Sequence, residues 1–74
     1  MNQRKKMNLK TIKMIAEASQ KLYITAEEGR LLYSMGIHTF HDIAREANAV
    51  RKVTSTKYIY STKAINEYIE TMFG

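Results

Sequence analysis

His38 and His41, with Asp42, Arg45 and Glu46 close behind, are where this sequence gathers side chains that could do chemistry. Two histidines three apart on a helix share a face and could offer two imidazoles to a metal ion. A third ligand at helical spacing is missing unless Asp42 or Glu46 bends round, so no metal site is expected. Acid–base work by either histidine would need a pocket and an orienting partner. No serine nucleophile with oxyanion donors accompanies them, and the chain has no cysteine. A tyrosine nucleophile would need an arginine cluster, whereas Arg4, Arg30, Arg45 and Arg51 are scattered. The expectation is a protein that is not an enzyme and uses no cofactor. What remains is recognition. Imidazole donates to or accepts from base edges and phosphates, and a guanidinium forks onto guanine. Asp42 would be repelled by phosphates; it can accept from cytosine N4 or hold Arg45 one turn along. The bland alternative is a pair of solvated surface histidines.

The element that would carry these groups lies in "SMGIHTFHDIAREA", residues 34–47. Ile37, Phe40, Ile43, Ala44 and Ala47 form one apolar stripe at helical spacing. His38, Asp42 and Arg45 centre the opposite face, with Thr39 and His41 on its flanks. Gly36 can take the conformation that starts the helix. Upstream, Thr25 and Glu28 form a capping box, and Glu27 and Glu28 suit the positive end of a helix dipole, which predicts a helix over 26–34. Gly29 inside it is explained if another helix approaches closely. Helix propensity predicts that Gly29→Ala is neutral or stabilising and that Gly29→Leu overpacks. Leu22 and Ile24 suggest a short strand or a staple.

Beyond residue 48 the pattern changes. "VRKVTSTKYIYS" alternates β-formers around a polar centre and predicts a hairpin, 50–53 with 57–60, whose turn has no glycine to fix the register. Tyr58 and Tyr60 share a strand face. Ser61 or Thr62 caps a last helix with Ile65, Tyr68, Ile69 and Met72 as its buried stripe. Residues 9–20 are a candidate helix with Leu9, Ile12, Ile15, Ala16 and Ser19 near one face. A basic amphipathic helix can lie on an acidic membrane, but this one lacks large aromatics on its apolar face.

Seventy-four residues make one small domain. No apolar run reaches the roughly 20 residues of a membrane span, and the N-terminus lacks a signal-peptide core. A soluble, cytoplasmic protein is expected. Its net charge of +5 is uneven. Arg4, Lys5, Lys6, Lys10 and Lys13 stand in the first 13 residues without an acid, and the remainder holds seven cations and seven acids. From Ala47 to Asn66 there are Arg51, Lys52, Lys57 and Lys63 and again no acid. Two basic zones on a small domain suit a polyanion, of which nucleic acid is the commonest.

The order helix, turn, helix, hairpin, helix predicts an α+β fold, a small winged helix-turn-helix. It divides the chain into a basic arm over 1–21, with 9–20 as a candidate helix, and a DNA-binding domain over 22–74. "YITAEEGRLLYSMGIHTFHDIAREA" followed by "AVRKVTSTKYIYSTKAINEYIETM" resembles the excisionase-like, MerR-type DNA-binding domains from Leu22 to Met72. Gly29 stands where that family usually has alanine. The wing tip has only Lys57 where paired basic residues are common, and the second helix offers Arg45 alone.

The resemblance implies an accessory protein of a mobile element, an excisionase that binds and bends DNA and helps a tyrosine recombinase excise. It places His38, Thr39, His41, Asp42 and Arg45 in the major groove. From the charge distribution, Arg51, Lys52 and Lys57 are the candidates for phosphate contacts, and Arg4, Lys5 and Lys6 for a phosphate-attracting arm. The implied partners are double-stranded DNA and the recombinase, with no membrane. The protein would be a monomer in solution, open to cooperative binding along DNA. The alternatives are a small transcriptional regulator of the same fold and a protein-interaction adaptor without DNA binding.

Overall fold

Thr25 begins a helix with a complete capping box. Its hydroxyl accepts from the Glu28 N–H at 3.1 Å, and the Glu28 carboxylate accepts from the Thr25 N–H at 2.9 Å, which closes the capping box. In the computed structural model, which describes residues 8–74, four helices and a three-stranded antiparallel sheet follow from such signals. They are α1 (Leu9–Ala18), β1 (Tyr23–Ile24), α2 (Ala26–Leu32), α3 (Ile37–Glu46), β2 (Val50–Lys52), β3 (Tyr58–Ser61) and α4 (Thr62–Phe73). The fold is α+β. The sheet order is β1-β3-β2, so the expected two-stranded hairpin is widened by β1 on its β3 side.

Phe40 of α3 is the centre of the core, fully buried with Ala18, Ile24, Ala44, Ala49 and Ile65. Its ring packs edge-on against Tyr60 at 5.0 Å between centroids and stacks on Tyr33 at 6.3 Å. The close helix approach inferred from Gly29 is this ring. A methyl group at Gly29 would stand 2.2 Å from Phe40 Cζ. Residue 29 is therefore the floor of the Phe40 pocket, and the expectation that alanine would be harmless there is corrected.

Both α2 and α3 end on a non-glycine residue in the left-handed region. Ser34 (φ 55°) lets the Met35 N–H reach the Arg30 carbonyl at 3.0 Å, and Asn48 (φ 55°) lets the Ala49 N–H reach the Ala44 carbonyl at 2.8 Å. The turn after β2 is a three-residue loop, Thr54–Ser55–Thr56, closed by the Val53 N–H on the Lys57 carbonyl at 2.8 Å. It manages without glycine because the Thr54 hydroxyl accepts from the Lys57 N–H at 3.0 Å and the Thr56 N–H at 3.3 Å. Ser61, rather than Thr62, caps α4. Thr62 instead donates its hydroxyl to the Lys21 carbonyl at 2.9 Å, tying α4 to the chain entering β1.

Two further sequence expectations change, the covered face of α1 and the place of Met72. The buried side of α1 is Thr11, Met14, Ile15 and Ala18, while Leu9 and Ile12 are exposed and Ala16 and Ser19 face out. Ala18 of α1 belongs to the common core. Met72 is 58% exposed and outside the α4 stripe, which is carried by Ile65 with Tyr68 and Ile69 half-buried. Arg4, Lys5 and Lys6 lie outside the described residues. Among those residues no helix is long and apolar enough to cross a membrane.

Candidate nucleic-acid interface

Gly36 starts α3 with extended backbone and no side-chain cap, so the first N–H groups of the helix face outward without a side-chain partner at the cap position. From there the amphipathic pattern sets the surface. Phe40 and Ala44 are buried, and His38, Asp42 and Arg45 (spaced four and three residues apart) form an exposed line on the opposite side. Thr39 is exposed beside them. Asp42 and Arg45 are not independent. Arg45 Nη2 donates to Asp42 Oδ1 at 2.6 Å, with 66% of the Arg45 and 68% of the Asp42 side chain exposed. Asp42 makes the one-turn hold on Arg45 that its spacing allows.

His41 lies on the flank of this line, on the side of the hairpin. It is half-buried, and its ring stacks on Tyr60 at 6.0 Å between centroids with 24° between planes. Together with Arg45, Val50, Tyr58 and Tyr60 it lines an open groove of about 330 Å³ between α3 and the hairpin. The tyrosines and Val50 were not nominated from sequence as site residues, although the shared strand face of Tyr58 and Tyr60 was the signal that could have found them. Burial pushes the Tyr60 phenol above its ordinary value, with a smaller push from Tyr58, so it stays a neutral hydroxyl.

The hairpin divides its cations between two sides. Lys52 pairs with Tyr58 and Val50 with Tyr60, so by strand alternation these four stand on the α3 side. Arg51, opposite Ile59, and Lys57, one residue from Tyr58, belong to the outer side. Arg51 also folds back, donating Nη1 to the Asn48 carbonyl at 2.8 Å and the Val50 carbonyl at 3.2 Å, while Lys52 and Lys57 are exposed. Three ion pairs occur among the described residues: Lys21–Glu28, Arg30–Glu27 and Arg45–Asp42. None involves the hairpin cations Arg51, Lys52 and Lys57. Arg30 is paired one turn back with Glu27 on α2. The Asp and Glu side chains and the two histidines do not gather in threes anywhere among the described residues, and no set of ligands for a metal is assembled there.

Residues 21–72, which span β1 through nearly all of α4, match a protein family described as of unknown function, DUF6462. The chain belongs to this family. No curated protein and no solved structure matches it. The DUF6462 region holds the whole α3 line, the groove and the hairpin, whereas α1 precedes it and contributes Ala18 to the core beneath.

Proposed function

We propose that the chain binds double-stranded DNA as a small winged helix-turn-helix. In this reading α2 and α3 are the paired helices, α3 enters the major groove, and the β2–β3 hairpin is the wing on the adjoining backbone. The observation that carries it is the pairing of two surfaces: the exposed His38–Asp42–Arg45 line, and beside it a hairpin bearing Arg51, Lys52 and Lys57 with no acid from Ala47 to Asn66. His38, Thr39 and Arg45 meet base edges. Lys52 and Lys57 neutralise phosphates, and Arg51 sets the hairpin's base by its two carbonyl contacts.

The role that best fits such a domain is that of an excisionase. It positions and bends DNA for a tyrosine recombinase and itself makes and breaks no bonds. This part rests on the likeness of residues 22–72 to that family and not on geometry. A transcriptional regulator would use the same surface on an operator; repeated sites at an attachment end, and stimulation of excision in a recombinase assay, distinguish the two. A protein-interaction adaptor is favoured by one observation, the exposed Val53 and Tyr58 on the hairpin.

A salt titration on duplex DNA tests the reading. Lys52→Ala and Lys57→Ala should each weaken binding on all sequences and flatten the slope of log affinity against log salt by about one unit. Arg45→Ala should cost about 1–3 kcal/mol on a preferred site with an unchanged circular-dichroism spectrum. If both lysine variants keep the parent's slope, the hairpin does not touch DNA and the adaptor reading takes its place.

A further inference from the structure

Resting on the DNA reading, we infer that Asp42 and Arg45 act as one unit that recognises a single G·C base pair, and that Asp42 is the specificity-determining member.

The geometry supplies the argument. The ion pair uses one arm of each side chain, Nη2 of Arg45 and Oδ1 of Asp42, at 2.6 Å. Arg45 keeps its remaining N–H donors, and Asp42 keeps Oδ2. Both groups are about two-thirds exposed and lie on the α3 line that faces away from Phe40. In the major groove a G·C pair presents two acceptors, guanine N7 and O6, next to one donor, cytosine N4. O6 and N4 of the pair are hydrogen-bonded to each other, at about 2.9 Å. A joined cation and carboxylate carry the complementary pattern side by side: guanidinium donors toward guanine and a carboxylate oxygen toward the cytosine amine. The pair need not open to bind.

The same carboxylate penalises other sequences. Turned toward thymine O4, or toward guanine when the pair is reversed, Asp42 meets an acceptor and has no donor to replace its lost water. An A·T pair sets the adenine amine between its two acceptors, adenine N7 and thymine O4, so a guanidinium built to fork onto two adjacent acceptors reaches only one of them. Asp42 is also a negative charge between two rows of phosphates, so every unmatched site keeps its repulsion without compensation. The acid that looked out of place on a DNA-facing helix thereby becomes a source of discrimination. It lowers affinity everywhere and gives part of it back at one base pair.

The experiment selects bound duplexes from a randomised pool with the parent protein, then measures the affinity ratio between the enriched duplex and its G·C-to-A·T counterpart for the parent, Asp42→Ala and Arg45→Ala. For the parent, one fixed G·C pair should be enriched. Asp42→Ala should bind random duplex more tightly, and its ratio should fall by about tenfold. Its salt slope on random duplex should steepen by about 0.9, because Arg45 is released to a phosphate. Arg45→Ala should lose both the ratio and the affinity. A parent that selects a G·C pair while Asp42→Ala keeps the same ratio overturns this inference and leaves DNA binding standing. A parent that binds no duplex overturns both.

Discussion

At the scale of single residues, the contact between Gly29 and Phe40 decides more than any charge. Because Cβ of an alanine would sit 2.2 Å from Phe40 Cζ and 2.3 Å from Cε1, Gly29→Ala should destabilise the protein by about 1–2 kcal/mol, with overpacking outweighing the gain in helix propensity. Shortening the ring in Gly29→Ala/Phe40→Leu should cost less than the two single changes added together, since the new methyl fills space the ring gave up. Urea midpoints of the four proteins check this, and an alanine variant as stable as the parent would show that the ring moves aside freely. Glu28 makes a second test. The Lys21 ammonium, first, and the Thr25 N–H, second, hold its carboxyl below the ordinary 4.5. A group whose folded value is depressed stabilises the fold above its unfolded value and loses that contribution as pH falls through the folded one. Stability should therefore drop on acidification below about pH 4.5, and Glu28→Gln should flatten that drop while keeping a capping side chain. An acid limb with the same slope in both proteins would assign it to other groups.

Among the elements, the two helix endings invite comparison, because they share a geometry and differ in residue. Asparagine tolerates the left-handed region; serine does not, and Ser34 and Asn48 both stand at φ 55°. Ser34→Gly should raise stability by roughly 0.5–1 kcal/mol and Asn48→Gly by less; thermal melts of the two would reverse that order if the Ser34 hydroxyl carries an unrecognised role. The elements also show what a sequence does and does not display. Phe40, Ile43 and Ala44 announced α3, and Thr25 with Glu28 announced α2, because stripe and cap are local properties of the chain. The orientation of α1 was misjudged for the opposite reason. Leu9 and Ile12 make the more apolar side, yet the covered side is chosen by what α1 rests on, chiefly α2, and not by its own stripe. Likewise the line of His38, Asp42 and Arg45 was legible from spacing, while the withdrawal of His41 into the Tyr60 stack, and the groove behind it, depend on a strand that begins 17 residues later.

For the whole molecule, charge and core have different boundaries. Three of the twelve Lys/Arg residues lie in positions 1–7, and the core reaches back to Ala18. A chain beginning at Asn8 should melt with the parent, since the Asn8 side chain still accepts from the Thr11 N–H at 2.8 Å and caps α1. The same chain should bind random duplex more weakly with its site preference intact, because a basic arm attracts phosphate without reading bases. A chain beginning at Lys21, the start of the DUF6462 match, exposes what Met14, Ile15 and Ala18 cover and should lose about 2 kcal/mol or more. Equal melting of the two truncations would make α1 an appendage to the domain.

The Gly29–Phe40 contact also bears on descent. Two positions that share one volume cannot drift separately. A lineage moving from glycine and phenylalanine to alanine and a smaller apolar residue must pass through one of two intermediates, a crowded one if position 29 changes first or a hollow one if position 40 does. Each is handicapped in a domain this small. Among relatives the two positions should therefore change as a pair, and a lone alanine at 29 beside an intact phenylalanine should be rare.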